Sequence, residues 1–280
     1  MIDVLKEILA CPSCLGALEI SAEGFACPSC NAKFVKVEGI PVLRPGPVQS
    51  PESPWPKEVA RADVFASLRL RDELLLPSFV SDALGGMIDQ IVERVSSKLG
   101  FTLDIESGTG RIIQALAEAP VMRSMLIATD TSPHILCGIA KAFKESGKRQ
   151  PFCIAASPRQ LPFRNSVIDR VVTLAGFNNI PNARLAAGEA ARVLKPGGTL
   201  LFAHLLLLDP NCAGAETAEE RHLADLISLP EVDIALRTFD MRITNFEEFA
   251  SGHWPEHPDN VIPASGDYFS LALITAKKES

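Results

Sequence analysis

The sequence predicts an α/β fold in which a largely parallel sheet carries helices on both faces, preceded by a small N-terminal module. Two observations lead to this fold class. From residue 101 onward, short apolar segments alternate with helical stretches, which is typical of consecutive βαβ units. Before that, residues 11–30 contain two identical Cys-Pro-Ser-Cys segments. A chain of 280 residues with 47% hydrophobic side chains is long enough for one large domain and one such module.

The paired cysteines predict a structural zinc site. The two pairs are separated by twelve residues, and four thiolates suit the tetrahedral geometry that zinc prefers. Four protein ligands leave no open position, so a catalytic zinc is not expected. The alternative is a degenerate module whose cysteines are simply reduced. The chain has seven cysteines, and this odd count argues against a disulfide framework. The expected zinc ligands are Cys11, Cys14, Cys27 and Cys30.

Composition narrows the class of partner. The net charge is −7, of which −1 falls in residues 1–50, so neither part has the basic excess of a protein that grips a long phosphate backbone. No apolar run reaches the length of a membrane span, so no membrane partner is expected. The first residues lack the pattern of a signal peptide, and we expect a cytoplasmic protein.

Proline marks the expected boundary between the two parts. Residues 44–56 contain five prolines, which indicates a stiff, extended connection. We therefore divide the chain into a zinc ribbon (1–45), a linker (46–56) and a larger domain (57–280). That domain begins with two helical regions, from Lys57 to about Leu76 and from about Ser78 to Leu99, the second interrupted at Gly85-Gly86.

The alternation that follows defines the sheet. The expected helices lie near residues 110–119, 133–146 and 183–194, and Tyr268–Ala276 forms a final strand in a hairpin. The strands before it are expected near residues 101–105, 125–129, 151–155, 168–174 and 199–206.

The first of these strands ends in the most informative segment, Leu-Asp-Ile-Glu-Ser-Gly-Thr-Gly at residues 103–110. A buried strand that ends in a carboxylate, turns on glycines and starts a helix can cradle a nucleotide. Glycines let the backbone approach the ligand, and the helix N-terminus offers unpaired N–H groups.

Later segments occur in the order and spacing of one known family. The segments are Ile127-Ala-Thr-Asp-Thr-Ser-Pro133, Leu161-Pro-Phe163, Ile168-Asp-Arg-Val-Val172 and Glu189-Ala-Ala-Arg-Val-Leu-Lys-Pro-Gly-Gly198. With the glycine turn, they resemble the class I S-adenosylmethionine (SAM) methyltransferases of the type-11 kind. The resemblance implies a Rossmann-like sheet with an antiparallel last strand, and SAM as cofactor.

The resemblance also implies which residues contact SAM. Asp130 would bind both ribose hydroxyls, which suits a bidentate acceptor. Ser157 would lie beside the adenine, and the turn would be shaped by Asp104, Gly108 and Gly110. The full expected set is Asp104, Glu106, Ser107, Gly108, Gly110, Asp130, Thr131 and Ser157.

Two of these positions depart from the family pattern. Glu106 occupies the place of the first glycine, where its carboxylate could either contact the cofactor ammonium or fill the pocket. Ser157 stands where the family has an aspartate that accepts a hydrogen bond from the adenine amino group. Loss of a charge-assisted bond costs about 1.5–3 kcal/mol, so SAM binding is expected to be weak.

Residues 1–45 carry a second resemblance. Ile8-Leu-Ala-Cys-Pro12 opens the module and Gly39-Ile-Pro-Val-Leu43 closes it, as in the small zinc-ribbon proteins that activate methyltransferases acting on tRNA, rRNA and protein. Some rRNA guanine methyltransferases also carry an N-terminal ribbon. The resemblance implies a protein partner for the ribbon, or a ribbon fused to its client.

The catalytic residues cannot be assigned from the sequence. Asn178 and Asn179 could orient a substrate, and His204 or, less convincingly, His134 could act as a base, but each is more typical of a loop or core residue. Two functions therefore stay open. One is a SAM-dependent methyltransferase acting on a small molecule, RNA or protein. The other is a catalytically inactive scaffold that keeps the fold and uses the ribbon to recruit a partner.

Overall fold

The computed structural model describes residues 2–21, 24–44, 77–256 and 262–279. The predicted linker 46–56 and the predicted helix from Lys57 to Leu76 lie outside these ranges. Among the described helices, none is both long and apolar enough to cross a membrane.

The described residues of the N-terminal module form one helix and five very short strands. Helix α1 spans Ile2–Ile8. The first three strands form an antiparallel sheet and the last two form a hairpin. These strands are β1 (Glu19–Ile20), β2 (Phe25–Ala26), β3 (Lys33–Phe34), β4 (Lys36–Val37) and β5 (Ile40–Pro41).

The larger domain alternates strands and helices as expected, then ends in a long hairpin. Within the described residues its α-helices are α2 (Ser78–Val95), α3 (Arg111–Glu118), α4 (Pro133–Ser146), α5 (Ala183–Val193), α6 (Ala213–Glu220) and α7 (Leu229–Thr238). Its strands are β6 (Gly100–Ile105), β7 (Ser124–Asp130), β8 (Phe152–Ala155), β9 (Ile168–Leu174), β10 (Leu194–Leu207), β11 (Met241–His253) and β12 (Tyr268–Lys278).

Seven of these strands form one sheet in the order β11-β12-β10-β9-β6-β7-β8. Pairing is parallel from β10 to β8, whereas β12 runs antiparallel to both of its neighbours, β10 and β11. The predicted α/β class and the antiparallel last strand are therefore confirmed. Because β6 to β9 are parallel, their carboxyl ends meet at one edge of the sheet, where ligands of open α/β folds bind.

Two local predictions were wrong. Helix α2 is continuous through Gly85-Gly86 rather than interrupted there. A Cβ at Gly86 would lie 2.9 Å from the Phe249 ring, so this glycine allows the helix to pack closely against β11. Strand β10 begins at Leu194 rather than near residue 199, because the Lys195–Gly198 turn is accommodated as a register shift inside the strand. The sequence pattern does not predict helices α6 and α7 or the bounds of strand β11.

The apolar interior of the N-terminal module is continuous with that of the larger domain. Leu9 and Leu43 are almost fully buried in the same cluster as Phe163 of the larger domain. At the edge of the sheet, the Leu43 amide donates to the Ala155 carbonyl at 2.8 Å, and Val42 forms a parallel bridge with Ala155. The module thus covers β8, an edge strand that would otherwise expose unpaired backbone groups.

One arginine ties α1 to this surface. The Arg164 amide donates to the Ile8 carbonyl at 2.8 Å, and its guanidinium donates to the carbonyls of Leu9 and Lys6, both at 3.3 Å. A helix leaves its last carbonyl groups without intrahelical partners, and a cation at that end is favourable.

Since Leu43 packs in the shared interior, we expect Leu43→Ala to lower the free energy of unfolding of the whole chain by about 2–5 kcal/mol. The matched control is Val35→Ala in the same module. Val35 is 53% exposed, so its change should stay within about 0.5 kcal/mol. Urea unfolding followed by far-UV circular dichroism measures both. Equal effects of the two substitutions would contradict a shared interior.

Candidate functional site

The turn between β6 and α3 is built on left-handed backbone. Gly108 and Gly110 have φ of +50° and +78°, which glycine adopts without strain. At Gly110 the space is also limited, since a Cβ would lie 3.1 Å from the Ile139 side chain. Glu106 has φ of +54°, a conformation that is uncommon for a residue with a side chain. The backbone therefore keeps the shape of a glycine turn although one position is not glycine.

Asp130, at the end of β7, fastens this turn. Its Oδ2 accepts a hydrogen bond from the Gly108 amide at 3.1 Å, and its Oδ1 accepts one from the Ser132 amide at 2.8 Å. The side chain is 1% exposed. Burial raises the pKa of Asp130 to about 6, although the backbone hydrogen bonds oppose the shift. The carboxylate expected to bind ribose is thus engaged by the protein's own backbone.

Glu106 brings a second carboxyl group to this edge. Its Oε1 is buried and has no hydrogen-bond partner among the described residues. Burial, reinforced by repulsion from Asp130 and Asp104, raises the pKa of Glu106 well above its usual range. A buried carboxyl without a partner is costly, so this site favours the protonated form of Glu106 or a cationic ligand.

Asp104 completes a group of three carboxyls. It is 2% exposed, and burial followed by repulsion from Asp130 raises its pKa to about 8. Its backbone carbonyl accepts hydrogen bonds from Thr129 Oγ1 at 2.9 Å and from Ser107 Oγ at 3.3 Å. Ser107 is therefore occupied in holding the turn.

A narrow cleft opens beside these carboxyls. Its volume is about 10 Å³, space for about one water molecule, whereas pockets for small ligands measure roughly 300–1,000 Å³. Thr131 Oγ1 is buried there without a hydrogen-bond partner among the described residues. Ser157 Oγ accepts a bond from the Arg159 amide at 3.3 Å. The cleft is lined by Glu106, Thr131, Ser157, Pro158, Arg159, Ile180 and Pro181.

The structure thus gathers the expected cofactor residues at one edge, and three of them line one cleft. Ile180 and Pro181 also line it and were missed by the sequence reading. The signal was available, because the loop after β9 starts at the same edge as the other loops.

Neither of the candidate bases, His204 and His134, lines the cleft. His204 is 1% exposed, its Nε2 is bonded to the Leu226 carbonyl at 2.6 Å, and burial lowers its pKa to about 4. His134 Nδ1 lies 3.5 Å from Glu38 Oε1 of the N-terminal module. His204 is therefore packed in the interior and His134 faces the module, and the Nδ1 atoms of both are buried without a hydrogen-bond partner among the described residues.

The two asparagines hold backbone. Asn178 donates to and accepts from the Leu205 backbone at 2.8 and 3.0 Å. Asn179 donates to the Ala175 carbonyl at 3.0 Å. Neither amide is free to orient a substrate in this arrangement.

The four N-terminal cysteines converge. Their sulfur atoms all lie within 4.8 Å of one another, with 3.6 Å between Cys11 and Cys30 and 3.5 Å between Cys14 and Cys27. Four sulfurs at 2.3 Å from a tetrahedral zinc would be about 3.8 Å apart. The donor set and its spacing therefore fit zinc.

Comparison with known proteins gives the family context. Residues 103–202 match the family model described as a methyltransferase domain. The ubiquinone/menaquinone biosynthesis C-methyltransferase UbiE of Wigglesworthia glossinidia brevipalpis is 33% identical over 101 residues, which is 36% of this chain and 40% of that protein. The chain thus spans about two fifths of the length of the curated relatives it matches.

Solved structures extend the likeness in fold. A putative methyltransferase from Bacillus halodurans C-125 superposes with a TM-score of 0.56 at 16% identity, over 70% of this chain and 99% of that one. A chain from the complex of the Haloferax volcanii Trm112 methyltransferase activator with a putative methyltransferase gives a TM-score of 0.52 at 18% identity, over 78% and 97% of the two chains. With the sheet order described above, these findings show that the chain has the fold of class I SAM-dependent methyltransferases and that its residues 103–202 are similar in sequence to methyltransferase domains.

Proposed function

We propose that this protein is a SAM-dependent methyltransferase that carries its own zinc ribbon. The observation that carries the proposal is the position of Asp130 at the end of β7, beside the glycine turn of β6, on a sheet of class I order. Asp130 would bind the ribose, and Gly108 and Gly110 would let the backbone approach the cofactor. Asp104, Ser107 and Thr131 would complete the contacts, with Ser157 beside the adenine.

Binding would require the cleft to open. The Gly108 amide would have to release Asp130 Oδ2, and Glu106 would have to move or to contact the cofactor directly. SAM carries a sulfonium and an ammonium group, and Asp104, Glu106 and Asp130 offer three carboxyls to them. SAM supplies the methyl group, and methyl transfer from a sulfonium needs alignment and a dry site more than a base. The engaged histidines and asparagines therefore do not oppose the proposal.

The same cleft supports a second candidate, a scaffold that has the methyltransferase fold without its activity. The observation that favours it is Glu106, whose buried carboxyl occupies a cleft of about 10 Å³ where the cofactor would lie. In that case the fold would serve to present the ribbon or the sheet edge to a partner. The methyl acceptor of the first candidate stays open among small molecules, RNA and protein.

Titration with SAM separates the two candidates. We expect weak binding by the parent protein, and tighter binding by Glu106→Gly, which restores the glycine, and by Ser157→Asp, which adds the charged acceptor. Ser157→Asp should tighten binding by roughly ten-fold, the free energy of one charge-assisted hydrogen bond, and Glu106→Gly should tighten it by removing a side chain from the cleft. Isothermal titration calorimetry with SAM and its demethylated product measures this.

Two controls define what the result means. Ser81→Asp adds the same charge at an exposed serine of α2 and should leave binding unchanged. Glu106→Gln keeps the volume of the side chain and removes its charge. If Glu106→Gln and Glu106→Gly both weaken a tight parent, Glu106 is a ligand for the cofactor's cationic groups, and the prediction of obstruction is wrong.

We further propose that the four cysteines bind one structural zinc ion. The support is their convergence within 4.8 Å and the burial of Cys11 and Cys27. In its described residues the module has one short helix and five two-residue strands, so a metal would add stability to that of the interior shared with the larger domain.

Protein purified without added metal should contain near-stoichiometric zinc by elemental analysis. Cys14→Ser should lose most of it, since a hydroxyl replaces a thiolate ligand. Cys212→Ser, remote from the cluster in sequence, is the matched control and should keep the metal. A folded, metal-free N-terminal module in the parent protein would refute the site.

We infer that the ribbon acts in cis on the methyltransferase domain. It covers β8 through the Leu43–Ala155 hydrogen bond, and Glu38 reaches His134 at the start of α4, directly after the Asp130 segment. The structural neighbour from a complex between a methyltransferase activator and a putative methyltransferase supports contact between a ribbon and such a domain as a working arrangement. An additional protein partner for the ribbon would then be a matter of recruitment rather than of folding.

The buried carboxyls predict a pH dependence of stability. The unfolded chain releases the Asp104 proton near pH 4, whereas the folded chain holds it until about pH 8. Folded protein therefore binds more protons in this window, and Asp104 lowers stability as pH rises, by about 1.4 kcal/mol for each pH unit. Asn cannot ionise, so Asp104→Asn should raise the free energy of unfolding at pH 7.5 far more than at pH 4.5.

Urea denaturation at the two pH values provides the measurement. Asp82→Asn, at an exposed position of α2, is the control and should show no such difference. A gain of Asp104→Asn that is the same at both pH values would contradict the raised pKa.

A further inference from the structure

A second, larger cleft lies at the opposite end of the sheet. Its volume is about 380 Å³, and it is formed by the C-terminal end of α2 with the start of β9 and the beginning of β10. Since β9 has seven residues at about 3.3 Å each, roughly 20 Å of strand separates it from the carboxyl ends where the cofactor residues lie. The methyltransferase site described above makes no use of this cleft.

The side chains of this cleft are mainly cationic. Arg94, Lys98, Arg170 and Lys195 line it, and a Cβ on its Gly197 would lie 3.8 Å from the Lys277 side chain. Two carboxylates compensate part of this charge. Asp169 pairs with Lys195 at 2.8 Å, and Glu247 pairs with Arg94. Among the described residues no carboxylate pairs with Lys98 or with Arg170. A positive surface thus stands out on a chain of net charge −7.

Arg170 is the least expected of these cations, because it is only 9% exposed. Its Nε donates to Thr102 Oγ1 at 3.1 Å, and its Nη2 donates to the Leu99 carbonyl at 2.7 Å and to Ser124 Oγ at 3.1 Å. All three acceptors are neutral. The two oxygens of the nearby Asp169 accept bonds from the Phe101 amide and from Lys195 instead.

The Arg170 guanidinium donates its described hydrogen bonds to neutral acceptors only, and Asp169 is the one negative group that acts on it from nearby among the described residues. The orientation of the guanidinium is set in advance by three elements, β6, β7 and β9, so little side-chain entropy would be lost when it binds an anion. Its Nη1 makes no bond within the described part of the chain. Together with Lys98 it offers the cleft two charges that form no ion pair with a described carboxylate, and Asp169, which also lines the cleft, balances the Arg170 charge only in part.

We propose that this cleft binds a phosphate group, as a phosphate monoester, pyrophosphate or phosphodiester. Arginine forks and lysine point charges are the donors that recognise such tetrahedral oxyanions, and the volume suffices for a group of that size with its immediate substituent. The distance from the cofactor edge makes this an anchoring or regulatory site rather than the place of methyl transfer. The proposal does not rest on the proposed function, since it needs neither SAM nor activity.

The probe is pyrophosphate, titrated calorimetrically into the full-length protein without SAM. Chloride at matched ionic strength controls for screening. We expect saturable binding of pyrophosphate that Lys98→Gln weakens by roughly ten-fold, as removal of one charge-assisted contact predicts. Lys144→Gln, at an exposed lysine on α4 far from the cleft, should leave affinity unchanged.

Arg170→Lys provides a second variant that keeps the positive charge but loses the fork. Arg170→Lys should also weaken binding of pyrophosphate. Because Lys98 is exposed, Lys98→Gln should fold normally, so its loss of affinity cannot be attributed to misfolding. A competition experiment distinguishes a nucleic-acid backbone from a small phosphorylated molecule as the source of the phosphate. A labelled single-stranded RNA oligonucleotide is followed by fluorescence anisotropy in the presence of pyrophosphate. Displacement by RNA that depends on Lys98 identifies a phosphodiester backbone, and binding of pyrophosphate alone identifies a small phosphorylated molecule.

Two results would overturn the proposal. One is the absence of saturable pyrophosphate binding beyond the effect of chloride. The other is an affinity that Lys98→Gln and Lys144→Gln reduce equally, since that would reflect general surface charge.

Discussion

The hydrogen bonds from the Gly108 and Ser132 amides to the Asp130 carboxylate hold the functional edge of the sheet together. They join the turn after β6 to the start of α4, so the β6–α3 and β7–α4 loops, between which the proposed cofactor would bind, are fixed to one another. The same bonds keep a carboxylate buried at 1% exposure, close to two further carboxyls whose pKa values burial raises. A ligand that binds the Asp130 carboxylate would compete with those bonds, and positive charge on the ligand would favour its binding beside the three carboxyls.

This constraint explains why Glu106 matters more than its single position suggests. In a turn made of glycines the backbone leaves the ligand space free. Here Glu106, whose backbone φ is +54°, places its carboxyl at the cleft. The strain and the unpartnered oxygen are both unfavourable in isolation. A cation in the cleft would relieve the second cost, and a protonated Glu106 would relieve it without any ligand. The two proposed functions differ in which of these states the protein uses.

The N-terminal module imposes a second constraint at the edge of the sheet. Through Val42 and Leu43 it pairs with β8, and through Leu9 it shares the interior around Phe163. An edge strand that ends beside the residues proposed to bind the cofactor is thereby fixed in place. At the far end of the same sheet, Arg170 ties β9 to β6 and β7 through neutral acceptors, and it leaves positive charge in a cleft of about 380 Å³.

The amino-acid sequence alone predicts the class of fold, the cysteine cluster and the edge at which the proposed cofactor residues meet. Each follows from local pattern: alternation of strands and helices, paired Cys-Pro-Ser-Cys segments, and carboxylates or glycines at strand ends. Three other features are seen only in the tertiary structure. These are that Asp130 is bonded to the turn beside it, that the module completes the edge of β8, and that Arg170 joins Arg94, Lys98 and Lys195 in one cleft. Each depends on contacts between segments distant in the chain, to which periodicity and spacing carry no information.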